Sequence, residues 1–370
     1  MRPTHSQSWS ASLLRRDLNA RAHQFAHERK LLHEIAPGPN QDTDPLIIFG
    51  RSELGPHGNF HPASDLAISA NPDWLRRLAK PHTASRRSPA RNDWPWRELD
   101  SAVSSDALLM NIFCHPRVFN GRTLAPAVAN LLNVDRTAQP RFGITPGVPL
   151  KSVRKRRTSA KPQTHLKQAS KISIRSAPDL DSEIWALEAP AAPSSATGQT
   201  LTDRTEIDLQ LGSLFVEAKL TESNFQTAAP RLIERYRDLE TVFNPDRLPR
   251  KILYTSASHL PVEDFSQLEE PTASTPPPSP PATSATSRTV IDAYQLIRNV
   301  LAAYAAEASF CVLCDARRHD LIETWYSILS AVHYPTFATR LKLLTWQELA
   351  AVLPKDLQQF LDEKYGILSI

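Results

Sequence analysis

Residues 205–222 read TEIDLQLGSLFVEAKLTE, two alternating apolar runs on either side of Gly212-Ser213. A two-residue Gly-X turn is compatible with a type II′ hairpin, and the turn fixes the pairing of the strands. Leu211 then lies opposite Leu214, Gln210 opposite Phe215 and Leu209 opposite Val216. Continuing the ladder sets Asp208 against Glu217, Ile207 against Ala218 and Glu206 against Lys219. One face is wholly apolar: Ile207, Leu209, Leu211, Leu214, Val216, Ala218 and Leu220. The other carries Glu206, Asp208, Gln210, Phe215, Glu217 and Lys219.

That second face needs an explanation. Cross-strand neighbours have Cβ atoms roughly 5 Å apart. Two carboxylates at ~5 Å and an effective dielectric of ~20 repel by about 3 kcal/mol. A divalent cation offsets such a cost, and Mg²⁺ prefers carboxylate and carbonyl oxygens. Lys219 shares the face of Glu217 and can neutralise charge, orient a water or stabilise a developing phosphorane. The alternative is an ordinary solvated face on which Lys219 pairs with Glu206 and Glu217.

The rest of the chain suggests how this hairpin is housed. Its 370 residues, 41% hydrophobic, can bury one large core or two ordinary ones. Residues 1–45 read as a mobile arm with a short helix near 12–35, and 46–95 as irregular with a helix at PDWLRRLAK. Helical spacing of Leu99, Val103, Ala107, Met110 and Cys114 predicts a helix over 95–113. Segment 143–170 reads as a basic linker, and 151–171 holds eight Lys or Arg and no acid. KISIR (171–175) and SEIWALE (182–188) are short strand candidates, and 227–243 reads as a charged helix.

Proline density makes 265–289 a disordered insertion. After it come a helix at 289–308, a strand at 309–315, a helix at 318–332, a strand at 341–346 and two short helices near 346–352 and 355–364. Mixed helices and strands around a central hairpin imply an α/β sandwich.

Several function classes lack their motifs. Cys311 and Cys314 form a lone C-x-x-C; an odd offset in a strand puts the thiols on opposite faces, so they read as reduced core residues of a cytoplasmic protein. His57 and His61 are spaced H-x(3)-H, but Gly58 and Pro62 argue against one helix presenting both to a metal. No P-loop or G-x-G-x-x-G occurs, no apolar run is long enough to span a membrane, and the N-terminus lacks a secretory h-region.

Asp208 followed by Glu217-Ala218-Lys219 resembles the acid and E-x-K signature of the PD-(D/E)XK nuclease superfamily. Further blocks resemble a restriction-endonuclease-like branch of it: NFHPAS at 59–64, WLRRLAK at 74–80, VSSDALLMNIF at 103–113, the hairpin with its T-E tail, AYQLIRNVLAA and LTWQELAAVL. The resemblance covers about residues 50–366.

It implies a restriction-endonuclease-like three-layer α/β/α sandwich with a central mixed β-sheet, filling 46–370. Asp208, Glu217 and the backbone carbonyl of Ala218 would ligate Mg²⁺, with Mn²⁺ as a substitute, and Lys219 would act on the attacking water or the scissile phosphate. Glu98 is the candidate for a first-helix acid. Asp106 stands where the branch usually has Gln, which leaves that position without an assigned role.

Ser104 and Asn111, seven apart, either approach the site or cap and pack. Gln295, Arg298, the run Arg154, Lys155, Arg156 and Arg157, and Arg231, Arg235 and Arg237 are candidates for phosphate contacts. The expected activity is metal-dependent hydrolysis of DNA, with RNA left open; homodimerisation is compatible with the resemblance but marked by no segment. The rivals are a catalytically silent nucleic-acid-binding protein on the same fold and a plain interaction protein.

Overall fold

The computed structural model of the chain describes residues 8–36, 45–52, 55–80, 97–151, 201–255 and 286–368. Before the hairpin come α1 (Ala11–Glu28), β1 (His33–Ala36), β2 (Leu46–Phe49), α2 (Pro62–Ala70), α3 (Pro72–Leu78), α4 (Ser105–Phe113), α5 (Pro126–Leu132), β3 (Pro140–Ile144) and β4 (Gly147–Pro149). β5 (Thr202–Arg204) leads into the hairpin strands β6 (Ile207–Leu211) and β7 (Leu214–Ala218). There follow α6 (Pro230–Glu234), α7 (Leu239–Val242), β8 (Arg250–Thr255), β9 (Thr286–Ile291), α8 (Tyr294–Ala305), β10 (Ser309–Cys314), α9 (His319–Ala331) and α10 (Pro335–Ala338). β11 (Leu341–Thr345), α11 (Trp346–Ala351) and α12 (Lys355–Tyr365) close the chain.

The turn forms as its residues dictate. Gly212 sits at φ +58°, a conformation open to glycine at no steric cost. Leu211 pairs with Leu214, Gln210 with Phe215 and Leu209 with Val216. The hairpin lies inside a five-stranded mixed sheet, order β11-β10-β7-β6-β3. β10 runs parallel to both β7 and β11, while β6 is antiparallel to β7 and β3. Parallel neighbours need covered crossovers, and here α8 precedes β10 and α9 precedes β11.

Alternate residues of the strands feed two hydrophobic cores. Leu214, Val216, Cys311 and Leu313 join one, with α1, α2, α4, α5, α11 and α12. Phe215, Phe310, Val312 and Cys314 join the other, with α6 to α9. The C-x-x-C pair is thus divided between the two faces, and burial pushes both thiols up to about 12. The fold is mixed α/β with helices on both sheet faces. No helix among the described residues is long and apolar enough to cross a membrane.

Several expected elements are corrected. The N-terminal segment is no mobile arm where it is described: α1 buries Leu14, Leu18, Ala22, Phe25 and Ala26. Its apolar residues find a core only through tertiary contact, which the weak local pattern concealed. Segment 46–95 holds β2 and α2 besides the expected α3. The helix expected over 95–113 is a 3₁₀ turn at Glu98–Asp100 and then α4 from Ser105, because the Ser104 hydroxyl accepts the Ala107 amide and starts the helix there. The supposed linker begins with strands β3 and β4.

The charged helix at 227–243 is split into α6 and α7, and the end of the supposed insertion is strand β9, paired to β8. KISIR, SEIWALE and the Pro-rich stretch before residue 286 lie outside the described residues.

Candidate metal and catalytic site

Beyond the Leu209–Val216 pair, β6 and β7 part. The Ala218 amide donates to the Asp208 carboxylate Oδ2 at 2.8 Å, so a side chain of β6 takes a bond that main chain would otherwise take. Ile207 leaves the apolar face predicted for it and packs in the core that holds Phe215, although Leu209 stays in the opposite core. A regular strand keeps residues two apart on one face. The strand therefore turns about Asp208.

Two further constraints aim backbone oxygen into this gap. The Lys219 amide donates to the Leu313 carbonyl on β10 at 2.8 Å. A trans peptide holds its C=O opposite its N–H, so the Ala218 carbonyl points away from β10, toward Asp208. On the other side of β6, the pairs Phe142–Leu209 and Ile144–Ile207 bracket Gly143 and Asp208 at one register position.

Glu217 is 0% exposed and held by both of its oxygens. Gln295 Nε2 donates to Oε1 at 2.6 Å, Asn299 Nδ2 to Oε2 at 2.7 Å, and Lys219 Nζ lies 2.8 Å from Oε1. Gln295 and Asn299 are one helical turn apart on α8 and so meet one carboxylate. Asn299 Oδ1 lies 2.6 Å from the Thr205 hydroxyl, which extends the chain of contacts to the residue before Glu206.

Lys219, 7% exposed, is anchored along its backbone, its carbonyl accepting the Trp346 indole N–H at 2.9 Å. Burial opposes its charge, but Glu217, then Glu222 and Asp208, outweigh that and hold its pKa above the ordinary value.

The carboxylates are electrostatically stressed. Burial first, then Glu217 and Asp106, push the Asp208 pKa well above its usual range. Glu217 is raised by burial, against the pull of Lys219. Asp106, 6% exposed at the start of α4, is raised by burial against the pull of Arg77. Arg77 of α3 donates to Asp106 Oδ2 at 2.5 Å and to Glu206 Oε1 at 2.8 Å. Lys80 lies 2.8 Å from both Glu206 Oε1 and Glu98 Oε2. Gly143, at φ +61°, makes room for this network, since a Cβ there would stand 2.2 Å from Arg77 Nη1.

Of the predicted site residues, Asp208 meets the Ala218 amide and Lys219 meets Glu217. Glu206 does not face Lys219; it is taken by Arg77 and Lys80 because the strands have separated. Glu98 is not the helix acid of the cluster: it sits on the 3₁₀ turn before α4 and meets the cluster through Lys80. Asp106 holds that position, and an acid in the first turn behind Ser104 was the signal for it. Glu222 was also missed. It accepts Ser105 Oγ at 2.8 Å and the Leu220 amide at 2.7 Å, joining α4 to the tail of the hairpin.

Gln295 reaches the site, but as a donor to Glu217, while Arg298 lies over the Tyr294 ring at 5.1 Å. Ser104 caps, and Asn111 packs, accepting the His61 amide at 2.6 Å. Arg235 pairs with Asp203 and Arg237 with Asp238. Arg154, Lys155, Arg156 and Arg157 lie outside the described residues.

A cation fits the gap. Asp208 and Glu217 supply hard oxygen donors beside an inward carbonyl, and burial, the largest cause of their raised pKa values, favours a bound cation over bare carboxylates. A second cluster, His61, His115 and Asp356, brings its ligand atoms within 4.8 Å of one another. There each Nδ1 accepts a backbone amide, from Ala63 and Arg117 respectively, which puts the proton on Nε2 and leaves no nitrogen lone pair for a metal. Burial lowers the His115 pKa to about 4, so that ring is neutral at pH 7. His57 turns elsewhere, to Asp100 at 3.0 Å.

Comparison with curated proteins and with solved structures finds no match. The family described as restriction endonuclease associating with ARP matches residues 19–366, which takes in most of both cores, α8 and the whole acid cluster. A match over that span settles the kinship of the chain: it belongs to this restriction-endonuclease family.

Proposed function

We propose that the protein is a Mg²⁺-dependent nuclease that hydrolyses phosphodiester bonds of DNA, on a restriction-endonuclease-like three-layer sandwich. One observation carries the reading: the strands of the hairpin part so that Asp208, the Ala218 carbonyl and Glu217 edge one gap with the Lys219 ammonium beside it. Family membership is the independent support.

Asp208, Glu217 and the Ala218 carbonyl would hold the cation. When bound, it supplies charge neutralisation at the scissile phosphate and lowers the pKa of water. The other roles belong to the chain. Gln295 and Asn299 fix the rotamer of Glu217, as outer-shell donors do for metal-binding carboxylates. The Lys219 amide, held by the Leu313 carbonyl, fixes the peptide plane that carries the Ala218 carbonyl and so aims it, while Asp208 anchors the preceding Glu217–Ala218 peptide through its N–H. Lys219, kept as an ammonium by its acidic neighbours, donates: it orients a water or stabilises charge growing on phosphate oxygens, and is not itself the base. Asp106 stands within the electrostatic reach of both acids and extends the negative cluster from α4.

The test is cleavage of plasmid and single-stranded DNA in Mg²⁺, Mn²⁺ or EDTA. Asp208→Asn and Lys219→Ala should each lower the metal-dependent rate by more than about 100-fold while the far-ultraviolet spectrum is kept. Binding without cleavage by the unaltered chain would favour a silent DNA-binding protein, and neither binding nor cleavage would leave an interaction protein.

A further inference from the structure

We propose that the cleft between α3 and β3 receives an unpaired stretch of the nucleic-acid strand next to the scissile phosphate; this rests on the nuclease reading and adds the substrate form and its path. The cleft measures about 880 Å³ and opens between Asn71–Lys80 and Gln139–Ile144. Its position is set by the site itself. Gly143 forms part of its wall and is the residue in register with Asp208 across β3 and β6. Arg77 and Lys80 line the cleft while binding Glu206, so one side of each cation meets the acid cluster and the other meets the opening.

Charge gives the class of occupant. Bare carboxylates repel a polyanion, so a site built of Asp106, Glu206, Asp208 and Glu217 needs positive potential at its approach. The cleft is lined by Arg76, Arg77, Lys80 and Arg141 against the one carboxylate of Asp73, which pairs with Arg76 at 3.2 Å; Arg77 and Lys80 answer the acid cluster, and Arg76 and Arg141 face the opening. Arg76 is exposed, its side chain 78% accessible, and Arg141 reaches from β3 to Gln210 at 3.3 Å. Both are placed to meet phosphates.

The walls give the strand state. Trp74, in edge contact with both Phe119 and Phe142, makes an aromatic side to the cleft. A duplex stacks its bases inside and would set only sugar and phosphate against these rings. Phe142 is the partly exposed ring, with Trp74 and Phe119 buried behind it; an unpaired strand can lay a base on that ring while its phosphates meet the arginines, the pairing of basic groove and aromatic side chains common to single-strand binders. The volume is that of an ordinary ligand pocket, enough for a few nucleotides.

The experiment uses the full chain carrying Asp208→Asn, in Mg²⁺, with a short labelled single-stranded oligonucleotide and with its duplex, read by fluorescence anisotropy across a salt series. The single strand should bind roughly 10-fold tighter than the duplex. Adding Arg76→Ala and Arg141→Ala should weaken single-strand binding about 10-fold, and should flatten the slope of log K against log salt by about 1.4, two contacts at ~0.7 each. Both arginines are exposed, so a melting temperature equal to the parent's shows that the fold is intact. In the otherwise unaltered chain the double variant should raise KM and spare kcat.

Tighter duplex binding, or an unchanged affinity and salt slope in the double variant, overturns the proposal. If the unaltered chain still cleaves in Mg²⁺, the nuclease reading survives that failure. Failure to bind or cut either form sinks both.

Discussion

The two ends of one hairpin behave differently. At the Gly212-Ser213 end, main chain pairs with main chain and three cross-strand pairs form as the turn requires. At the Asp208–Ala218 end a carboxylate replaces a main-chain partner, Ile207 changes core and the strands open. The closed end is dictated by local geometry and buries only apolar side chains on its core face. The open end gathers acids whose pKa values are raised by burial and by one another. A ladder that continued unbroken would have spent the Ala218 carbonyl on a neighbouring strand. The proposed site depends on the ladder stopping.

The contrast can be broken first at the donors that hold the open end. Asn299→Ala removes the amide bound to Glu217 Oε2 and also strands the Thr205 hydroxyl. Cleavage should fall by about 10- to 100-fold, the usual cost of losing an outer-shell partner of a metal ligand. A steady-state assay at saturating metal checks this, and a variant as active as the parent would remove Asn299 from the positioning role.

Next come the two glycines at the two ends. Gly212→Ala should cost about 1 kcal/mol for a left-handed alanine and leave cleavage alone. Gly143→Ala carries the same strain and also drives a methyl into Arg77, which is tied to Asp106 and Glu206, so it should cost more than Gly212→Ala and depress cleavage too. Denaturant melts and rates of the two variants, side by side, decide it; equal effects at both ends would erase the distinction drawn here.

The smallest expected effect is the pH dependence of stabilisation by metal. An acid whose folded pKa is raised binds more protons in the native state than in the unfolded chain. Its ionisation therefore costs stability as pH rises from the ordinary carboxylate range through the native pKa, and acid restores that stability. Asp208 and Glu217 are both of this kind. Mg²⁺ competes with those protons, so it should raise the melting temperature by a few degrees at about pH 8 and by less at about pH 5. The same shift at both pH values, or in Asp208→Asn, would place the ion elsewhere.

Much of the centre was legible. The register of the turn followed from Gly212 and alternation, and the strands and helices after residue 308 follow their apolar periods closely. Asp208, Glu217, Ala218 and Lys219 could be found because a strand pair brings fixed offsets together. Asp106 and Glu222 could not be found by that logic. They arrive from another helix and from a loop, and no local period links α4 to the hairpin. Glu98 was placed on the helix because the helix was drawn too long; a cap at Ser104, one hydrogen bond, moved the start of the helix past it. The N-terminal helix was expected near 12–35, but its place in the core was missed for a related reason, since its buried stripe is weak until α12 and the first core are there to cover it.

What the chain's own order of residues determined is local: a glycine that accepts φ +58°, alternation that assigns faces, and the spacing that puts an acid, an acid and an amine within reach of one another. The tertiary structure decided where the ladder ends, which helix acid joins the cluster, and that Glu217 would be clasped from α8 by Gln295 and Asn299. The reason is range. Backbone torsions and strand offsets act between near neighbours in sequence, whereas charge and burial act between whatever the fold brings close, and those terms set the site.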